Sequence, residues 1–130
     1  IVIPIENSLA GRVADIHYLI PKYKLQIHAE HFHKVTHNLL AIKGSKITDI
    51  KTVRSHSHAI GQCQKIINEN KFKTIISADT AGSAKYISEM KQKDEGAIAS
   101  ELAAKIYNLQ VLKSNQHSIS YPHKTYSFAR

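Results

Sequence analysis

Apolar residues along this chain change period several times, and the changes divide it into elements. It opens on Ile1-Val2-Ile3-Pro4-Ile5, four apolar residues in five, which reads as a short buried strand. The polar cluster Glu6-Asn7-Ser8 follows and suits a helix start. Leu9, Val13, Ile16, Leu19 and Ile20 then recur at helical spacing over 8–20, and Pro21 is expected to stop that helix. Partial alternation over 25–35 predicts a strand, and Leu39-Leu40-Ala41-Ile42 a second one, ended by Lys43-Gly44-Ser45. Beyond residue 50 short strands alternate with helical stripes. Strands are predicted at 50–53, 72–76, 96–99 and 109–112. The stripes between them are Ala59, Ile60, Cys63, Ile66 and Ile67, then Ala81, Ala84, Ile87 and Met90, then Leu102, Ala103, Ile106 and Tyr107. Ser55, Asp79-Thr80 and Ser100 are candidate N-caps. This β-α-β-α-β-α-β run predicts a parallel, three-layer α/β sheet.

In such a sheet the strand-to-helix turns fall on one edge, where ligands bind. Asn7-Ser8, Ser55-His56 and Asp79-Thr80 are therefore expected to share that edge. Each turn is also explained as a cap contributing about 1 kcal/mol. The polar stretch 114–130 shows no clear period and reads as a crossing segment or a disordered tail. A hydrophobic strand with neither Met nor lead-in before it leads us to expect the middle of a longer protein.

Composition narrows the function classes. In 130 residues there is room for one compact domain. No apolar run approaches a membrane span, so no membrane partner is expected. A lone Cys63 excludes an internal disulfide, and its place on an apolar stripe makes it core. Lys and Arg number 18 against 10 Asp and Glu, net +8. The lysines are dispersed, Trp is missing and aromatics are few, so a solvated surface fits better than a nucleic-acid face. His28, His31, His33 and His37 lie close in sequence, as do His56 and His58, yet no Cys or carboxylate partners stand at ligand spacing, so no metal is expected.

Pro4-Ile5-Glu6-Asn7-Ser8, with Gly11 and Val13, resembles a motif of the prephenate dehydratase family. Four further segments are similar to that family in its own order. They are Glu30 with His37-Asn38-Leu39; Ser55-His56 with Ala59 and Gln62-Cys63; Thr80-Ala81 with Ala84; and Ala97-Ile98-Ala99-Ser100 with Ala103-Ala104 and Tyr107. The chain departs from the pattern at Ser57 (usually Pro), Asp79 (usually Ser) and Asn108 (usually Gly). Where the family carries Thr-Arg-Phe, this chain has Lys124-Thr125-Tyr126-Ser127-Phe128.

The resemblance implies an α/β fold with a three-layer sheet, a type II periplasmic-binding-protein-like bilobal arrangement only partly covered by this chain. Residues 1–20 would end the first lobe, 21–113 form the second, and 114–130 return or form a tail, with the site in the cleft between lobes. It implies decarboxylating dehydration of prephenate to phenylpyruvate in the cytoplasm, on the route to phenylalanine, by a homo-oligomer needing neither cofactor nor metal. Arogenate dehydration, or ligand binding without turnover, are the alternatives. Thr125 would take the role of the family's catalytic Thr, assisting departure of the ring hydroxyl. Glu6, Asn7, Ser8, Ser55, His56, Thr80 and Ala81 would hold the substrate, a small dianion. Helix N-termini and hydroxyl or amide donors suit that charge. Glu6 would orient its turn, while His56 fits either a helix-start hydrogen-bonder or an acid.

Overall fold

A computed structural model describes residues 2–7, 11–12, 14–114 and 122–129. In chain order the strands and helices are β1 (Val2–Asn7), β2 (Gly11–Arg12), α1 (Ala14–Lys22), β3 (Gln26–Lys34), β4 (Asn38–Ala41), β5 (Thr52–Ser55), α2 (Ser57–Gln62), α3 (Gln64–Asn70), β6 (Lys73–Ile76), α4 (Thr80–Met90), β7 (Glu95–Ala99), α5 (Glu101–Ile106), β8 (Gln110–Ser114) and β9 (Pro122–Ala129). The chain divides into two units, Ile1–Val35 with Ile119–Arg130, and Thr36–Ser118. Each has its own sheet.

The first unit carries a four-stranded sheet in the order β2-β1-β9-β3, antiparallel at every pairing. Three expectations change here. First, the polar cluster after the opening strand does not start a helix. Asn7 pairs with Gly11 and Glu6 with Arg12, so the chain turns back on itself, and α1 begins only at Ala14. Gly11 is a poor helix former, and strand pairing satisfies its backbone instead. Second, Pro21 lies inside the last turn of α1, and the chain leaves the helix at Lys24, whose φ is +51°. Third, 122–129 is not a disordered tail: it returns to the first unit as a strand hydrogen-bonded on both sides, by β1 and β3. Because β3 pairs with β9, residues 26–34 belong with the first sheet, although the sequence placed them in the second lobe.

The second unit has a five-stranded sheet in the order β6-β5-β7-β4-β8. β5 runs parallel to β6 and β7, while β4 runs antiparallel to both β7 and β8. The four strands of the repeating run therefore all point one way, as their short helical connections require. β4, which precedes that run, is inserted between β7 and β8 against the common direction.

Both faces of this sheet are covered, giving three layers. Leu39, Ala41, Val53 and Ile98 pack on Ala59, Ile60, Cys63, Ile66 and Ile67 of the α2–α3 side. Leu40, Ala97 and Ala99 pack on Ala84, Ile87, Ala103 and Ala104 of α4 and α5. All five residues of β7 are buried, as expected for a strand enclosed on both faces. Gly96 makes that enclosure possible. A Cβ there would stand 3.0 Å from the Leu40 carbonyl oxygen and 3.1 Å from Leu39 Cδ1. Gly96→Ala is expected to cost about 2 kcal/mol through this overpacking, read as a lower urea midpoint. An unchanged midpoint contradicts the close approach.

Candidate functional site

The residues singled out from the sequence fall into both units. In the first, Glu6 is exposed on β1 and pairs in register with Lys124, and Asn7 pairs with His123. Thr125 is in register with Pro4 on one side and His31 on the other. Glu6, Asn7 and Thr125 are thus brought to neighbouring positions of one antiparallel sheet, an arrangement the sequence reading missed. Ser8 lies outside the described residues.

In the second unit, β5 and β6 run in parallel and lead to the polar turns at Ser55-His56 and Asp79-Thr80, with β7 leading to Ser100. The turns after these parallel strands therefore open on one edge. The Asn7 turn belongs to the other sheet and does not share that edge. Ser55 is not the cap of α2. It is the last residue of β5, fully buried, and its Oγ donates to the Ile98 carbonyl at 2.6 Å. Its hydroxyl ties the end of β5 to β7 and sets where the chain leaves the sheet. His56 is the cap: its Nδ1 accepts from the His58 N–H at 3.3 Å. His56 thus makes a hydrogen bond at the helix start.

Asp79 caps α4 as expected, its carboxylate accepting from Gly82 N–H. The turn is braced from beneath, because the Asp79 carbonyl accepts from Ser83 Oγ at 2.7 Å and from Ser77 Oγ at 3.2 Å. Ser83 is buried, a polar position hidden in an otherwise apolar stripe. With Gly82 N–H committed, the N–H groups of Thr80 and Ala81 remain in the first turn without an intrahelical acceptor. Thr80 is half-buried and Ala81 exposed. Ser100 caps α5 by accepting from Ala103 N–H at 3.2 Å. Behind this edge, the buried Asn38 donates to the Ala99 carbonyl at 3.5 Å. The edge therefore presents helix-start donors on a hydrogen-bonded frame, an arrangement suited to carboxylate recognition.

Among the described residues, no group of three or more His, Cys, Asp or Glu is placed to hold a metal ion. The rings of His56 and His58 meet edge to face, 4.9 Å between centroids. Cys63 is buried in the core, in agreement with the sequence reading. No helix among the described residues is long and apolar enough to cross a membrane.

The family model of prephenate dehydratase matches residues 1–121. The chain belongs to the prephenate dehydratase family. A bifunctional N-acyl-homoserine lactone acylase/prephenate dehydratase of Komagataeibacter europaeus is 44% identical over 110 residues, covering 85% of this chain and 39% of that protein. Arogenate dehydratase 2 of Petunia hybrida is 43% identical over 111 residues, covering 85% of this chain and 28% of that protein. The crystal structure of the Arthrobacter aurescens prephenate dehydratase, in complex with L-Phe, superimposes with a TM-score of 0.84 at 28% identity, over 99% of this chain and 44% of that one. The chain thus spans less than half the length of these relatives. A likeness to a periplasmic binding protein of Salmonella typhimurium, at TM-score 0.53 and 8% identity, concerns the fold alone and agrees with the bilobal binding-protein class.

Proposed function

We propose that this chain contributes to decarboxylating dehydration of prephenate to phenylpyruvate, a step toward phenylalanine. The observation that carries this reading is the family match over 1–121, which runs through all the strand-to-helix turns described above. The substrate carries two carboxylates and a ring hydroxyl. Loss of CO₂ and hydroxide together yields an aromatic ring, whose formation drives the reaction. The protein's task is then to fix the pose and to help hydroxide depart. Thr80 and Ala81 N–H groups at the start of α4 bind a substrate carboxylate. Glu6, Asn7 and Ser8 act at the end of β1, with Glu6 orienting its turn. Thr125 donates a hydrogen bond to the departing hydroxyl. Ser55 and His56 serve by fixing the β5–α2 turn. The protein works in the cytoplasm as a homo-oligomer.

Arogenate is the second substrate reading, favoured by the 43% identity to a protein named arogenate dehydratase. The two substrates differ in bearing a keto or an amino group on the side chain, so the ratio of their turnover rates separates them. Thr125→Ala is expected to lower kcat about a hundredfold on the preferred substrate, within the range for removing one positioned transition-state donor. Undiminished turnover contradicts the role given to Thr125.

A further inference from the structure

Arg54 lies on the opposite face of β5 from Ser55, and its side chain is four-fifths buried, with 20% exposure. Two contacts fix it. Its Nε donates to Glu95 Oε1 at 2.9 Å, and its guanidinium carbon sits 4.1 Å from the centre of the Tyr86 ring on α4. Both Nη groups are left without a hydrogen bond to any described residue. A guanidinium with one edge neutralised and its plane stacked, but its outer N–H groups open, is pre-organised to accept an oxyanion.

Its surroundings fit the same ligand. Arg54 and Thr52 share one face of β5, and in the parallel register Thr52 stands beside Lys73 of the edge strand β6. Neighbouring strands lie about 4.8 Å apart, so Lys73 and Thr52 stand side by side on the face that Arg54 shares, with Glu95 of β7 on the other side of Thr52. Lys73 is exposed, and among the described residues it has no ion-pair partner and the Thr52 hydroxyl has no hydrogen-bond partner. The carboxylate closest to hand, Glu95, is 9% exposed and committed to Arg54 Nε. Asp94 pairs with Lys51 at 3.8 Å. Two cations face one engaged carboxylate, which leaves net positive charge on this face.

The geometry points to a phosphate-binding site formed by Arg54, Lys73 and Thr52, on the α4 face of the second sheet and separate from the substrate edge. Two outer guanidinium donors, an ammonium and a hydroxyl suit three phosphate oxygens better than the two of a carboxylate. The ligand is a phosphate monoester or inorganic phosphate. The test follows the Arg54 Nε–Hε resonance of the full chain while inorganic phosphate is added, with sodium chloride at matched ionic strength and with acetate as comparisons. A saturable shift with phosphate, absent with chloride and at least several-fold weaker with acetate, is the expected result. Lys73→Ala and Thr52→Val leave the Arg54–Glu95 pair in place. Lys73→Ala should weaken phosphate about tenfold and Thr52→Val several-fold. Equal shifts with chloride, or unchanged affinity in both variants, overturn the proposal.

Discussion

Leu40→Ala lowers the stability of the second unit by about 4 kcal/mol, within the range for emptying a closed core position. Leu40 has no exposed surface and sits on β4, hydrogen-bonded between β7 and β8. Its side chain points into the cluster with Ala84, Ile87, Ala97, Ala99, Ala103, Ala104 and Leu109. Five of those seven neighbours are alanines, too short to swing into the space a leucine leaves. They are carried on α4, α5 and β7, so filling the hole would require whole elements to move. The cost should therefore fall in the upper half of the usual range rather than at its floor. Leu102→Ala on α5 is the control, since Leu102 is 65% exposed and should change stability by under about 0.5 kcal/mol. Urea unfolding measures both, and the midpoint should move with little change in slope. A loss below about 1.5 kcal/mol for Leu40→Ala would show that the alanine-rich layer can close.

Glu95→Ala should cost about 3 kcal/mol by a different route. Glu95 and Arg54 form an ion pair at 2.9 Å with most of both side chains out of water. Removing the carboxylate leaves a buried guanidinium with an unanswered Nε–H, and an uncompensated buried charge is more costly than the pair was worth. The contact with Tyr86 at 4.1 Å survives and offsets part of the loss. Replacing both partners together, Arg54→Met with Glu95→Met, should cost clearly less than Glu95→Ala alone, because no charge is then stranded. If the double replacement is the more destabilising, the pair itself, and not the orphaned charge, supplies the stability.

How legible these features were in the sequence depends on whether the chain itself or its tertiary partners decide them. β5 to β8 and their helices were readable because the apolar period switches between two and 3.6, and each switch is a local property. The common direction of those strands followed from their short helical connections. The direction of β4 did not, since Leu39-Leu40-Ala41 is equally apolar whichever way it runs, and only pairing with β7 and β8 decides. The role of 122–129 was hidden for a similar reason. Its place between β1 and β3 is fixed by backbone hydrogen bonds that no apolar alternation announces. At the site, Asp79 and Ser100 were recognisable as caps because a cap is local chemistry. Ser55 was misplaced by one residue, because the burial of its hydroxyl depends on the Ile98 carbonyl 43 positions away. Arg54 and Glu95 were overlooked as a pair. A lone arginine between Val53 and Ser55, directly after a predicted strand, was the available signal that a distant carboxylate must answer it.

Turnover distinguishes a dehydratase from a binding module on the same fold. Prephenate should be supplied to the natural protein carrying this sequence, with arogenate in parallel, and the ultraviolet absorbance of phenylpyruvate and the appearance of phenylalanine followed. Prephenate should be converted to phenylpyruvate, about a hundredfold more slowly by Thr125→Ala. Saturable binding of both compounds with turnover of neither would contradict the dehydratase reading and leave a binding module built on the same fold.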